Sequence, residues 1–179
     1  AAMKVGSVIM WATDLQPFFM GILVSVFVGI ALTLPISSAA ICAALGLTGL
    51  AGGAAVAGCC AQMVGFAVMS FRENKWGGLV SQGIGTSMLQ MGNIVRNPRI
   101  WIAPIVTSAI TGPIATCLFR LQMNGTAVSS GMGTCGFVGQ IGVYTGWMND
   151  IAEGTKTAVT AMDWAGLFLI SFILPAVLC

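Results

Sequence analysis

The chain has 179 residues, 57% of them hydrophobic and 7% charged, with a formal net charge of +2. Soluble domains carry charge on roughly a quarter of their residues, so the composition excludes an ordinary soluble domain and indicates an all-α integral membrane protein, a polytopic helical bundle. The apolar runs are continuous rather than alternating, which argues against a membrane β-barrel, and the few basic residues offer no nucleic-acid surface.

Ala1-Ala2-Met3 does not read as a native start, and no basic region with a cleavage site follows it. The chain therefore reads as one membrane domain over 1–179, part of a longer protein. Residues 1–16 form a mildly amphipathic interfacial segment, with Trp11 as an anchor. From Leu15 to Phe71 there is no Asp, Glu, Lys or Arg. A crossing needs about 20 apolar residues, so this stretch holds two crossings and something broken. Pro17–Leu34 reads as the first crossing, with proline well placed at a helix start and Gly21, Gly29 and Ala31 as small residues for close helix contact. Pro35 then removes a helical hydrogen bond, and Ser37 and Ser38 supply hydroxyls for a new helix start. Ala39–Leu50 is short for a crossing and suits a re-entrant segment. Gly49, Ala51, Gly52 and Gly53 read as a flexible break before a second crossing, Ala54–Phe71.

Residues 72–99 form the longest polar stretch, with Arg72 and Lys75 at one end and Arg96 and Arg99 at the other. The positive-inside rule places both ends at the cytoplasmic face. The glycine-rich middle, Trp76–Val95, suits a hairpin dipping back into protein or an interfacial amphipathic helix. Trp101–Phe119 reads as the third crossing, with kinks at Pro104 and Pro113 and Arg120 at the opposite face. Asn124–Trp147 is apolar but dense in Gly, Ser and Thr, Met148–Asp163 is polar, and Trp164–Leu178 is a last apolar run.

The strings ISSAAICAALGLTG from Ile36 and VSSGMGTCGFVGQ from Val128 resemble one another. Corresponding broken segments point to a transporter's binding site, because unwound backbone at membrane depth must meet protein, water or solute. Substrate-binding candidates are therefore Ser37, Ser38, Ser129, Ser130 and Thr134, with Gln140 flanking the second break. The alternative for these residues is a proline kink and serine hydroxyls bonded to backbone. Gln62, inside a crossing, is either an interhelical hydrogen bond or a ligand for a solute hydroxyl. Glu73 is the only acid between Asp14 and Asp150. Glu73, Asn74, Gln90, Asn93 and Asn97 are solute ligands if the 72–99 segment folds inward, and otherwise an ordinary basic loop.

The chain has no histidine, no carboxylate inside an apolar run and no P-loop. No catalytic constellation exists in it, and no cofactor or metal is expected. The six cysteines sit among apolar or small residues and read as small buried hydrophobes.

The strings LQPFFMGILVSVFVGIALTLPISSAAI, GCCAQMVGFAV, RENKWGGLVSQGIGTSMLQMGNIVRNPRIW and SGMGTCGFVGQI resemble the enzyme IIC membrane component of the bacterial sugar phosphotransferase system. Within that superfamily they are most similar to the branch described as perfringolysin-regulator-type, and to its C-terminal half. The resemblance implies a multi-pass protein of the bacterial inner membrane, a homodimer, and a transport domain with re-entrant hairpins. It implies a small polar solute, a sugar or sugar-like compound, moved by alternating access, and a cytoplasmic phosphotransferase partner. Better-known members bind sugar with a glutamate and a histidine, and Glu73 matches the acid only. The alternative is a membrane-embedded regulator of gene expression acting through a cytoplasmic partner. A channel is disfavoured, since no ring of charges is present to select ions.

Overall fold

The computed structural model describes residues 2–179, so Ala1, at the head of the 1–16 segment, lies outside the described residues. Helix α1 spans Ala2–Leu15 and packs against the three helices that follow it. Helix α2 spans Pro17–Thr33, with proline in its first turn. The backbone leaves helical geometry at Leu34, ahead of Pro35. Helix α3, Ser38–Leu45, is capped by the Ser37 hydroxyl, which accepts from the Ala40 N–H at 3.2 Å. Gly46, at φ +65°, closes α3 in the left-handed conformation that glycine adopts freely.

Helix α4 spans Gly49–Met69, 21 residues and so about 30 Å, the thickness of a bilayer core. Helix α5, Phe71–Val80, bends at Lys75 and runs into a wide turn over Ser81–Gly85. A tight turn, Ser87–Gln90, and helix α6, Met91–Arg96, bring the chain back. After a turn at Pro98–Trp101, helix α7 spans Ile102–Pro113 and widens over Ile114–Leu118. Helix α8 is short, Ala127–Ser130, and helix α9 spans Val138–Ala152. Helices α10, Ala161–Phe168, and α11, Leu174–Leu178, are joined by a wide turn, Leu169–Ile173. Among the described residues, three continuous stretches are long and apolar enough to cross a membrane: Gly49–Met69, Pro98–Leu118 and Ala161–Leu178.

The core is the packing of α2, α4 and α7 on one another. Residues Leu50 through Ala67 of α4 are all buried. Small residues set the approach. A Cβ on Gly58 would overlap the Ser25 carbonyl oxygen, one on Gly29 would lie 2.8 Å from the Gly58 oxygen, and one on Gly112 would overlap the Gly21 oxygen. Backbone therefore meets backbone at both crossings, the small-residue mode of packing in membranes. Ser25 faces Gly58 and Thr33 faces Gln62, so α2 and α4 run in the same direction. Ser108 meets Gly58 while Gly112 meets Gly21, so α7 runs opposite to both.

Three hairpins meet this core with their tips at mid-height. The α2–α3 hairpin turns back at Thr33, level with Gln62. The 71–97 hairpin starts at the Met69 end of α4 and turns at Thr86–Ser87, where the Ser87 and Thr33 hydroxyls lie 3.0 Å apart. The 121–152 hairpin starts at the Gly49 end, where Gly49 and Met123 exchange two backbone hydrogen bonds. It turns where Gly133 approaches Cys59 and Cys60. The two similar broken segments touch: the Ser38 hydroxyl donates to the Gly131 carbonyl at 2.7 Å.

Two expectations are corrected. Pro17–Leu34 is not a full crossing, because α2 stops at the level of Gln62, about two-thirds of the way along α4. Gly49, Ala51, Gly52 and Gly53 are not a flexible break but the first turns of α4. Their glycines allow close approach: a Cβ on Gly53 would overlap the Leu121 carbonyl oxygen, and one on Gly52 would lie 3.1 Å from the Met123 Cβ.

Candidate functional site

The Met69 end of α4 opens into a cavity of about 340 Å³, lined by Phe66, Met69, Ser70, Glu73, Asn74, Gln90, Asn93 and Ile100. Phe66, Met69 and Ser70 leave α4 with helical spacing, and Glu73 and Asn74 continue the same face into α5. Gln90 and Asn93 come from the returning arm of the hairpin, three residues apart and so on one face. One carboxylate and three primary amides thus surround an aromatic and aliphatic floor. Arg72, Lys75, Arg96 and Arg99 are exposed on the segments flanking the cavity.

A hydrogen-bonded chain holds the wall. Asn93 Nδ2 donates to Gln90 Oε1 at 2.8 Å, and Gln90 Nε2 donates to Gln82 Oε1 at 2.8 Å. Gln82 Nε2 donates to the Ser70 hydroxyl at 2.9 Å, and that hydroxyl donates to the Ala67 carbonyl. Gln82 and Gln90 are buried, at 3% and 5% exposure, so each lost partner would leave a desolvated amide.

The other wall depends on a strained residue. Lys75 has φ +51° and ψ −147°, a backbone state that L-residues rarely adopt. The bend lets Gly78 fold onto Asn74, where a Cβ on Gly78 would overlap the Asn74 Cβ. It also stacks Trp76 edge-on against Phe71, with ring centroids 5.4 Å apart. Strain of this kind is worth about 1–3 kcal/mol and clusters at functional sites. Lys75→Gly is expected to raise the apparent Tm in detergent by roughly 2–4 °C, about 1 kcal/mol. An unchanged or lower Tm shows that the bend stores no strain.

Of the twelve predicted site residues, the structure brings four together here: Glu73, Asn74, Gln90 and Asn93. Asn97 lies at the rim of the same arm, where its Oδ1 accepts from the Arg99 N–H at 3.3 Å and caps the Pro98 turn. Gln62 is fully buried, in a separate network. Its Oε1 accepts from Trp101 Nε1 at 2.9 Å and from the Thr33 hydroxyl at 3.2 Å, and its Nε2 donates to Ser108 at 3.3 Å. Ser37 caps α3 and Ser38 bonds Gly131. Ser129 pairs with Thr126 at 2.8 Å, and Ser130 donates to the Ala127 carbonyl at 2.6 Å. The Thr134 hydroxyl donates to Met63 sulfur at 3.6 Å. Gln140 Nε2 donates to Ser171 at 2.9 Å, and its buried Oε1 has no hydrogen-bond partner. None of these eight lines the cavity.

Sequence reading missed Phe66, Met69, Ser70 and Ile100 as lining residues. The signal for the first three is the spacing 66, 69, 70, 73, 74, which needs α4 and α5 to share a face across Ser70. At the Gly49 end of α4 a second cleft, of about 320 Å³, carries Arg120, Asn124, Asp150, Glu153, Lys156 and Asp163 among its lining residues. Lys156 bridges Asp163 at 2.7 Å and lies over the Trp147 ring. Asn124 Nδ2 lies 2.9 and 3.0 Å from the two Asp150 carboxylate oxygens. Arg120 thus stands at the end of the bundle opposite the Arg72–Arg99 segment, where the sequence reading put it. Among the described residues no group of histidines, cysteines and acids is arranged to hold a metal ion.

The family model described as "Phosphotransferase system, EIIC" matches residues 1–179. No curated protein and no solved structure matches the chain.

Proposed function

Since the chain belongs to the phosphotransferase system EIIC family, we propose that it is a permease for a small polyhydroxylated solute, a sugar or sugar-like compound. The chain is a membrane transport component of the phosphotransferase type. The observation that carries this reading is the cavity wall of Glu73, Asn74, Gln90 and Asn93 beside Met69 and Ile100. A carboxylate and amides pair with adjacent hydroxyls, and the partly exposed Met69 and Ile100 take the apolar face of a sugar ring. The volume suits one small ligand.

In this reading the basic end of α4 faces the cytoplasm of a bacterial inner membrane. The solute then leaves the cavity where a cytoplasmic phosphotransferase partner meets it. The hairpin tips at mid-height give alternating access its bistable parts, since each is held by few hydrogen bonds. The homodimer belongs to the same proposal and is read by light scattering of the solubilised protein. Ser37, Ser38, Gln62, Ser129, Ser130 and Thr134 serve the scaffold in this reading.

The test is a thermal-shift titration of detergent-purified protein with hexoses and hexitols. A solute that binds the native state raises the apparent Tm. Glu73→Gln and Asn93→Ala are each expected to weaken that solute by about 10–100-fold, as loss of a strong hydrogen bond does. A solute unaffected by both variants, or no binder in the panel, overturns the assignment of the cavity. Binding without flux in proteoliposomes favours the membrane-embedded regulator.

A further inference from the structure

The two ends of the bundle carry their charge differently. At the Gly49 end, Arg120 and Lys156 share a cleft with Asp150, Glu153 and Asp163. Acids outnumber cations there, and Lys156 is already bridged to Asp163 at 2.7 Å. At the Met69 end, Arg72, Lys75, Arg96 and Arg99 stand with Glu73 as the one acid of their segment. All four cations are exposed, and among the described residues none of them makes an ion pair. Uncompensated charge of this sign fits an anionic partner.

The neighbours of these cations identify the partner. Trp76, beside Lys75, is 71% exposed, and Val95, beside Arg96, is 75% exposed. Val80 and Leu89 continue the exposed apolar surface along the 71–97 hairpin toward its tip. The hairpin thus has a polar inner side, which closes the cavity through Asn74, Gln90 and Asn93, and an apolar outer side. A basic side chain at the edge of such a face lays its stem along apolar surface and keeps its charge at the headgroups. Tryptophan belongs at the same level of the membrane. An acidic protein would neutralise the cations and leave the apolar face unexplained.

We propose that the basic rim of the cavity binds anionic phospholipid, whose phosphates meet the four cations while its acyl chains lie along the outer face of the 71–97 hairpin. Arg72 and Lys75 belong to the outgoing arm, Arg96 and Arg99 to the returning arm and the turn after it, and both arms line one cavity. Headgroups that hold both arms steady the cavity mouth. Clusters of Lys and Arg beside a membrane segment attract anionic lipid in this way, and salt weakens the attraction. Lipid binding here is independent of which solute the cavity takes.

The test places the full chain in nanodiscs of phosphatidylcholine alone, or of phosphatidylcholine with an equal share of phosphatidylglycerol. Phosphatidylglycerol should raise the apparent Tm by about 4 °C or more. The gain should fall by roughly half or more between about 0.1 M and 1 M NaCl, as the screening length shortens. The fourfold variant Arg72→Gln, Lys75→Gln, Arg96→Gln, Arg99→Gln should lose the gain, and Arg120→Gln, at the other end, should keep it. Native mass spectrometry of protein released from the mixed discs gives a second readout. The native chain and Arg120→Gln should retain phosphatidylglycerol over phosphatidylcholine, and the fourfold variant should not. If that variant fails to accumulate, Arg72→Gln with Arg96→Gln, and Lys75→Gln with Arg99→Gln, should each lose about half of the preference. No gain from phosphatidylglycerol, or a gain that survives neutralisation of the four cations, overturns the proposal. Inorganic phosphate and polyglutamate, added to phosphatidylcholine discs, should leave the Tm in place. A gain from either that matches the lipid gives the cations to a free phosphate or to an acidic protein, and overturns the lipid assignment.

Discussion

Gly58→Ala is expected to lower the apparent Tm of the solubilised protein by about 10 °C or to prevent its accumulation in the membrane. The added methyl would overlap the Ser25 carbonyl oxygen and sit 2.6 Å and 2.8 Å from the Ser25 carbonyl carbon and Cα. All three atoms are backbone, so no side chain can rotate away. Helix α2 must shift, and with it go the Ser25 bond to the Ser108 carbonyl and the Thr33 bond to Gln62. Overpacking costs about 1–3 kcal/mol where side chains yield. Here we expect the upper end of that range, and each kcal/mol is worth about 2–4 °C in a chain of this size. Gly92→Ala is the control, since nothing lies within 4 Å of its added Cβ. Its Tm should hold or rise slightly, alanine being the better helix former. Equal tolerance of both substitutions would show that the α2–α4 crossing is looser than the structure has it.

Gly58 also shows what the sequence did and did not carry. That helices would be packed through small residues was legible from Gly21, Gly29 and Ala31. Which glycines meet backbone was not, because that depends on register between segments far apart in the chain. The same blindness read Gly49–Gly53 as a break, when the partner that makes those glycines useful is Leu121–Met123, some seventy residues away. The break at Leu34–Ser37 was legible, because proline and a capping serine act locally. The hairpin nature of 72–99 was legible as one of two options, from its polarity and its basic ends. The cavity was legible in part. Glu73, Asn74, Gln90 and Asn93 stood out as polar residues in an apolar chain, but so did the serines of the two breaks. Composition cannot separate a hydroxyl bonded to a carbonyl, as in Ser38 and Ser130, from one that faces a solute.

Gln62 is the sharpest instance of that ambiguity, and its substitution carries the second large effect. Gln62→Met keeps the volume and removes every hydrogen bond. Trp101, half-buried, loses the acceptor for its Nε1–H, while Ser108 keeps the Pro104 carbonyl at 2.8 Å. Leaving a partly buried donor unpaired costs about 1 kcal/mol or more, and the lost bonds of the buried Thr33 and Ser108 add to it. We expect a total of about 2–4 kcal/mol, an apparent Tm lower by roughly 5–15 °C in the absence of any ligand. Trp101→Phe removes the donor instead and should cost less. The double variant should then lose less than the two separately, by about 1 kcal/mol, as residues sharing a hydrogen bond do. Where a solute shifts the native Tm, its affinity should be nearly unchanged in Gln62→Met, because Gln62 is fully buried and does not line the cavity. A variant with native stability and lost affinity would place Gln62 in the solute path instead. The cavity at the Met69 end would then be only the inner half of a longer binding route, one that passes the Thr33–Ser87 contact between the hairpin tips.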